Sequence, residues 1–119
     1  MKKSIIIILG EPNSISSEIF LKSLNYIKKT KLNFIIIGNY SLLKRQANYL
    51  NLKININFNF SRVDNLKDEK FNFININYKQ NKPFDLKSNN SDRFIKNCFE
   101  CAVHLLKKKI SFWTNKSTN

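Results

Sequence analysis

Ser4-Ile5-Ile6-Ile7-Ile8-Leu9-Gly10-Glu11-Pro12-Asn13-Ser14-Ile15-Ser16-Ser17-Glu18-Ile19-Phe20 is the stretch that decides the fold class. Ser4 to Leu9 is an unbroken aliphatic run closed by Gly10 and Pro12, the pattern of a strand buried on both faces of a parallel sheet. Glu11 to Ser14 is a polar loop. Ile15, Ile19, Phe20, Leu24 and Ile27 then recur at helical spacing. Ser14 or Ser16 can cap this helix, Glu18 suits its positive end, and Lys28 and Lys29 suit its negative end. Ser4 to Lys29 is therefore a strand, a loop and a helix.

The same grammar repeats downstream. Asn33 to Ile37 is a second aliphatic run that stops at Gly38-Asn39, and Leu42, Leu43, Ala47 and Leu50 trace a second amphipathic helix. A βαβα order predicts an α/β fold whose mostly parallel sheet has right-handed crossovers. Lys53 to Phe60 and Phe71 to Tyr78 alternate apolar residues with Asn or Lys at period two, so they are expected as half-exposed edge or meander strands. Ser61 to Lys70 and Lys79 to Asn90 are polar connections. A last helix is predicted from Ser91 to Lys108, capped by Asn90 or Ser91, with Phe94, Ile95, Cys98, Cys101, Ala102, Leu105 and Leu106 as its buried stripe. Ile110 to Trp113 is expected to begin another strand.

Length and composition restrict the function classes. The 119 residues suit one domain, and Lys, Asn, Ile and Phe are abundant while Gly and Pro number two each, a bias that resembles proteins of very AT-rich genomes. A formal charge of +13 would favour a polyanion partner if it were clustered. Instead it is scattered over Lys2-Lys3, Lys28-Lys29-Lys31, Lys44-Arg45, Lys79, Lys82 and Lys107-Lys108-Lys109, with no basic stripe carrying aromatics, which argues against nucleic acid. The Ile5 to Leu9 run is shorter than a signal-peptide core of about 7–15 residues and far shorter than the roughly 20 that span a bilayer. A cytoplasmic location and reduced Cys98 and Cys101 thiols are the expectation.

Few residues offer chemistry. Cys98-x-x-Cys101 puts two thiols on one helix face, but no second Cys/His pair accompanies them and they coincide with the core stripe, so packing is the simpler role. His104 is the sole histidine, which excludes a multi-histidine centre within these residues. The acidic residues form no catalytic pair. What remains is the Gly10-Glu11-Pro12 turn, placed where ligands collect at the carboxyl ends of parallel strands and where a helix N-terminus offers N–H groups to anions.

Gly10, Glu11, Pro12, Ile15 and Glu18 match in register the motif G-[DE]-P-x-G-I-G-P-E, and in this the chain resembles the N-terminal third of the 4-hydroxythreonine-4-phosphate dehydrogenase family. The Gly38-Asn39 turn with Leu42-Leu43, Ser88-Asn89-Asn90 before the last helix, and Cys101-Ala102-Val103 leading to Thr114 are similar to later parts of the same family. Ser14, Ser16 and Ser17 replace the family's Gly, Gly and Pro. Lys116 and Asn119 stand where its Thr-x-Pro-x-[HN]-Lys turn has Pro and Lys. These changes remove close backbone approach and the pre-set first helical turn, while serines retain hydrogen-bonding capacity.

The resemblance implies the N-terminal portion of a larger two-domain, homodimeric oxidoreductase with an isocitrate/isopropylmalate dehydrogenase-like fold. It further implies NAD-dependent oxidation and decarboxylation of 4-phosphooxy-threonine in vitamin B6 biosynthesis, with a histidine-held divalent metal as Lewis acid. The family's metal and substrate residues lie beyond Asn119, so no catalytic or metal residue is carried over. Turnover by this chain alone is not expected. The ligand-loop candidates are Gly10, Glu11, Pro12, Ser14, Ser16 and Thr114. The competing reading is a small non-catalytic α/β module that holds an anionic ligand or nucleic acid. Uncovered sheet edges and helix faces are also expected to make the isolated chain prone to aggregation.

Overall fold

A computed structural model describes residues 4–85 and 91–117, with side chains as far as Lys108. The elements are β1 (Ser4–Ile8), α1 (Ser16–Lys29), β2 (Asn33–Gly38), α2 (Tyr40–Tyr49), β3 (Asn59–Phe60), a single 3-10 turn (Val63–Asn65), β4 (Phe71–Asn75) and α3 (Ser91–Ser117). The strands form one sheet in the order β1-β2-β4-β3, and every pairing is parallel. This is the α/β class expected from the βαβα order.

Two apolar cores sandwich the sheet. On one face Leu9, Phe34, Ile36 and Phe73 meet Phe20, Leu21 and Leu24 of α1 and Leu43 and Ala47 of α2. On the other, Ile35, Ile37 and Ile74 meet Phe94, Cys98, Cys101, Ala102 and Leu105 of α3. Ile36, Ile37 and Phe73 are fully buried, and each contributes about 1.5–3 kcal/mol by leaving water. An aliphatic run with no polar alternation is what a doubly covered strand requires, and β2 is buried along its whole length.

The structure corrects several expectations. β1 lies at the edge of the sheet, and Ile5 is 41% exposed although the run reads as a doubly buried strand. β4, expected as a half-exposed edge or meander strand, is buried in the interior between β2 and β3. Its Asn72 tolerates burial because it accepts from Asn59 Nδ2 and Ser61 Oγ and donates to the Lys67 carbonyl. Of Lys53 to Phe60 only Asn59–Phe60 pairs in the sheet. The period-two alternation there still sets burial: Ile54, Ile56 and Phe58 pack on the α1/α2 core while Lys53, Asn55 and Asn57 face water. The backbone of Ile110 to Trp113 continues α3 instead of opening a strand.

Local chemistry sets the helix ends. Asn39 caps α2, its Oδ1 accepting from the Leu42 N–H at 3.0 Å. Asn51 at φ 55° closes that helix in the left-handed conformation that asparagine tolerates. At α1 the capping position is Ile15, without a side-chain cap, and neither Ser14 nor Ser16 occupies it. Ser14 nevertheless satisfies one orphan donor, since its Oγ accepts from the Ser16 N–H at 3.1 Å. Asn90 lies outside the described residues. Among the described residues no helix is long and apolar enough to cross a membrane.

Candidate ligand loop at the carboxyl ends of the strands

The chain leaves β1 at Leu9, whose N–H donates to the Ile37 carbonyl, and turns at Gly10 with φ +69°. An added Cβ at Gly10 would make only ordinary van der Waals contact, with Ser16 Oγ at 3.8 Å as its nearest neighbour. The need for glycine is thus one of backbone conformation. Glu11 organises the turn: its carbonyl accepts from the Ser14 N–H at 3.1 Å and is 2.9 Å from Ser14 Oγ, and its Oε1 accepts from the Asn13 N–H at 3.3 Å. Ser14 and Ser16 hydroxyls lie 2.9 Å apart beside the first turn of α1. Gly10, Glu11, Pro12, Ser14 and Ser16 are therefore brought together.

Thr114 falls in the helical continuation of α3, not in a turn after a strand, and its side chain lies outside the described residues. Ser88-Asn89-Asn90 also lies outside them.

A set of amides clamps the loop, and the sequence reading did not single them out. Gln46, 2% exposed, donates through Nε2 to the Pro12 carbonyl at 2.6 Å and the Pro83 carbonyl at 3.0 Å. Asn13 Oδ1 accepts from Gln80 Nε2 at 2.9 Å and from the Asp85 N–H at 2.7 Å. Arg45 donates to the Gln80 carbonyl at 2.7 Å, and the Tyr78 hydroxyl to Gln80 Oε1 at 2.7 Å. Residues 80–85 are thereby strapped across the loop after β1. One signal was available: Gln46 sits on the apolar stripe of α2, where a polar side chain needs buried partners.

Beneath the loop lies a cavity of about 10 Å³ lined by Gly10, Pro12, Ser17, Asn39 and Gln46 among others, room for about one water. Ser17, 4% exposed, presents a buried Oγ with no hydrogen-bond partner among the described residues. The closed loop thus leaves no space here for a nucleotide or a phosphorylated substrate.

Other titratable groups lie elsewhere. Burial pushes the Cys98 thiol up to about 12, helped by the neighbouring Cys101, and burial also raises Cys101. Both are free, protonated packing residues at neutral pH. Exposed Asp64 has its carboxyl held below the usual range, first by hydrogen bonding to Lys108, with His104 Nε2 3.8 Å away. Among the described residues no group of three or more His, Cys, Asp or Glu could hold a metal ion.

Compared with known proteins, the chain matches no family model and no curated protein.

Proposed function

We propose that the chain serves an NAD-dependent dehydrogenase of the 4-hydroxythreonine-4-phosphate type in the cytoplasm, contributing a phosphate-facing loop to a homodimeric enzyme. The observation that carries the reading is the place of Gly10-Glu11-Pro12: it leaves the carboxyl end of a parallel strand and enters the N-terminus of α1, with the motif residues in register. That end of a helix attracts anions through its dipole and free N–H groups.

NAD, when bound, supplies the hydride acceptor. The chain's own residues orient and attract: Ser16 offers its hydroxyl beside the first helical turn, Ser14 Oγ supports it by pointing at the Glu11 carbonyl and Ser16 Oγ, and the +13 charge draws a phosphorylated substrate. Pro12 and Asn13 hold the loop's shape through Gln46 and Gln80. Because the cavity beneath is water-sized, substrate contact takes place on the outer side of the loop or after the 80–85 strap opens.

Titrating the labelled chain with 4-phosphooxy-threonine tests this. Amide shifts concentrated at Gly10 to Ser17, and reduced in Ser14→Ala/Ser16→Ala, are expected. Shifts confined to the scattered lysines would favour the non-catalytic anion-binding module, and turnover by the chain alone would refute the assignment of the catalytic groups to other residues.

A further inference from the structure

Among the described residues, Ser17 Oγ is the buried side-chain polar atom that has no hydrogen-bond partner. Buried hydroxyls in folded chains are nearly always bonded, so an orphan calls for a partner from outside. Ser17 lines the water-sized cavity beneath the loop, between the apolar walls of Leu9, Leu42, Leu43 and Phe94. The other polar side chains of that wall are engaged. Asn39 accepts from the Leu42 N–H and donates to the Ile76 carbonyl, and Gln46 donates to the Pro12 and Pro83 carbonyls.

The orphan hydroxyl belongs to the first turn of α1, a helix of 14 residues. The Ser16 N–H is held by Ser14 Oγ and the Ile19 N–H by the Ile15 carbonyl, while those of Ser17 and Glu18 find no acceptor among the described residues. Three unused donors therefore lie within two consecutive residues at the positive end of a helix dipole. No carboxylate lines the cavity: Glu18 pairs with Lys22 at 3.2 Å, and Glu11 Oε1 accepts from the Asn13 N–H. Unused donors in a wall without acids suit an oxyanion and not a cation. On the outer side of the loop Ser14 Oγ is already engaged with the Glu11 carbonyl and Ser16, which leaves a single hydroxyl there.

What keeps the inner side shut is also on the page. Gly10 and Pro12 roof the cavity. The roof is held down by side chains and not by strand pairing: Gln46 binds Pro12, Asn13 binds Gln80 Nε2 and the Asp85 N–H, and Arg45 binds the Gln80 carbonyl. A loop tethered this way opens at lower cost than β2, whose ladders would have to break.

We infer that the N-terminus of α1 is an oxyanion subsite under a roof that opens. When residues 10–13 lift and the 80–85 strap releases Asn13, a phosphate group enters and accepts from Ser17 Oγ and from the Ser17 and Glu18 N–H groups. The inference rests on the reading that this loop takes a phosphorylated substrate, and it adds which side of the loop receives the phosphate and what must move first.

The test is titration of the labelled full chain with inorganic phosphate at constant ionic strength, followed by amide shifts and hydrogen exchange. Ser17 and Glu18 amides should shift, and the Asp85 amide should exchange at least about tenfold faster in the bound form, since opening breaks its bond to Asn13. Ser17→Ala should weaken phosphate binding at least about tenfold, as expected for a hydrogen bond to a charged group. Arg45→Met, which loosens a tether, should tighten binding at least about threefold by populating the open state. Loss of a positive charge alone would weaken it, and that result would overturn the opening roof. Shifts at Gly10 to Ser16 with wild-type affinity in Ser17→Ala and an unchanged Asp85 amide would put the phosphate on the outer face, which overturns the subsite and leaves the loop reading intact. Binding through Ser17 that 4-phosphooxy-threonine fails to displace would do the reverse. Shifts confined to the scattered lysines would overturn both.

Discussion

Replacing Gln46 by Met isolates the clamp that holds the loop after β1 to the 80–85 strap. Met keeps the volume and removes both donated bonds, to Pro12 O at 2.6 Å and Pro83 O at 3.0 Å. Pro12 is buried, so its stranded carbonyl costs about 1–3 kcal/mol. Pro83 keeps a longer bond from Gln80 Nε2 at 3.4 Å, so its loss is about 0.5–1.5 kcal/mol. The greater apolarity of Met returns about 1 kcal/mol. The net expectation is a loss of about 0.5–3.5 kcal/mol, roughly 2- to 300-fold in the folding equilibrium. Urea unfolding reads the stability, and amide exchange reads its distribution: residues 11–14 and 80–85 should open more than β2. Unchanged stability together with unchanged loop exchange would refute the clamp, and a uniform rise in exchange would refute its local character.

Further consequences follow from individual positions. Ser17→Ala removes a buried hydroxyl with no described partner, so stability should hold or rise by thermal unfolding; a loss above about 1 kcal/mol would mean that the Oγ has a bound water to satisfy it. Gly10→Ala should destabilise by about 1–2 kcal/mol through the left-handed backbone alone, since the Cβ makes only ordinary van der Waals contacts. Gly38→Ala should cost about 1–3 kcal/mol for the different reason that its Cβ would lie 2.6 Å from Leu9 Cδ1. Cys98 has its folded pKa raised from 9.0 to about 12, so its contribution is complete below pH 9 and declines by about 1.4 kcal/mol per pH unit above it. Cys98→Ala should flatten that decline in urea titrations at alkaline pH, and an identical slope in the variant would contradict the burial of the thiol.

Much of the fold could be read from local pattern. Ser4 to Leu9 and Asn33 to Ile37 are strands because continuous aliphatic runs closed by Gly10 or Gly38 suit a covered sheet, and α1, α2 and the first turns of α3 follow from helical spacing. The Gly10-Glu11-Pro12 turn was also readable, since its chemistry is that of adjacent residues. The clamp was not, because Gln46 joins Pro12 and Pro83 across long sequence separations, and no periodicity encodes such a pairing.

Alternation in Phe71 to Tyr78 implied a half-exposed edge or meander strand. The fold instead inserts β4 between β2 and β3, where Asn59 and Ser61 satisfy Asn72. The polar residue faces a polar patch inside the sheet, which composition alone cannot distinguish from water. Conversely, the aliphatic Ser4–Ile8 run implied an interior strand, and only the strand order reveals β1 as an edge strand with α3 packed against it. The sequence by itself determined the first two strands, α1, α2 and the start of α3, and the Gly10-Glu11-Pro12 turn, because those depend on neighbours along the chain. Strand order, the buried amide clamp and the edge position of β1 were decided by tertiary structure, because they depend on crossover handedness and on pairings between residues distant in sequence.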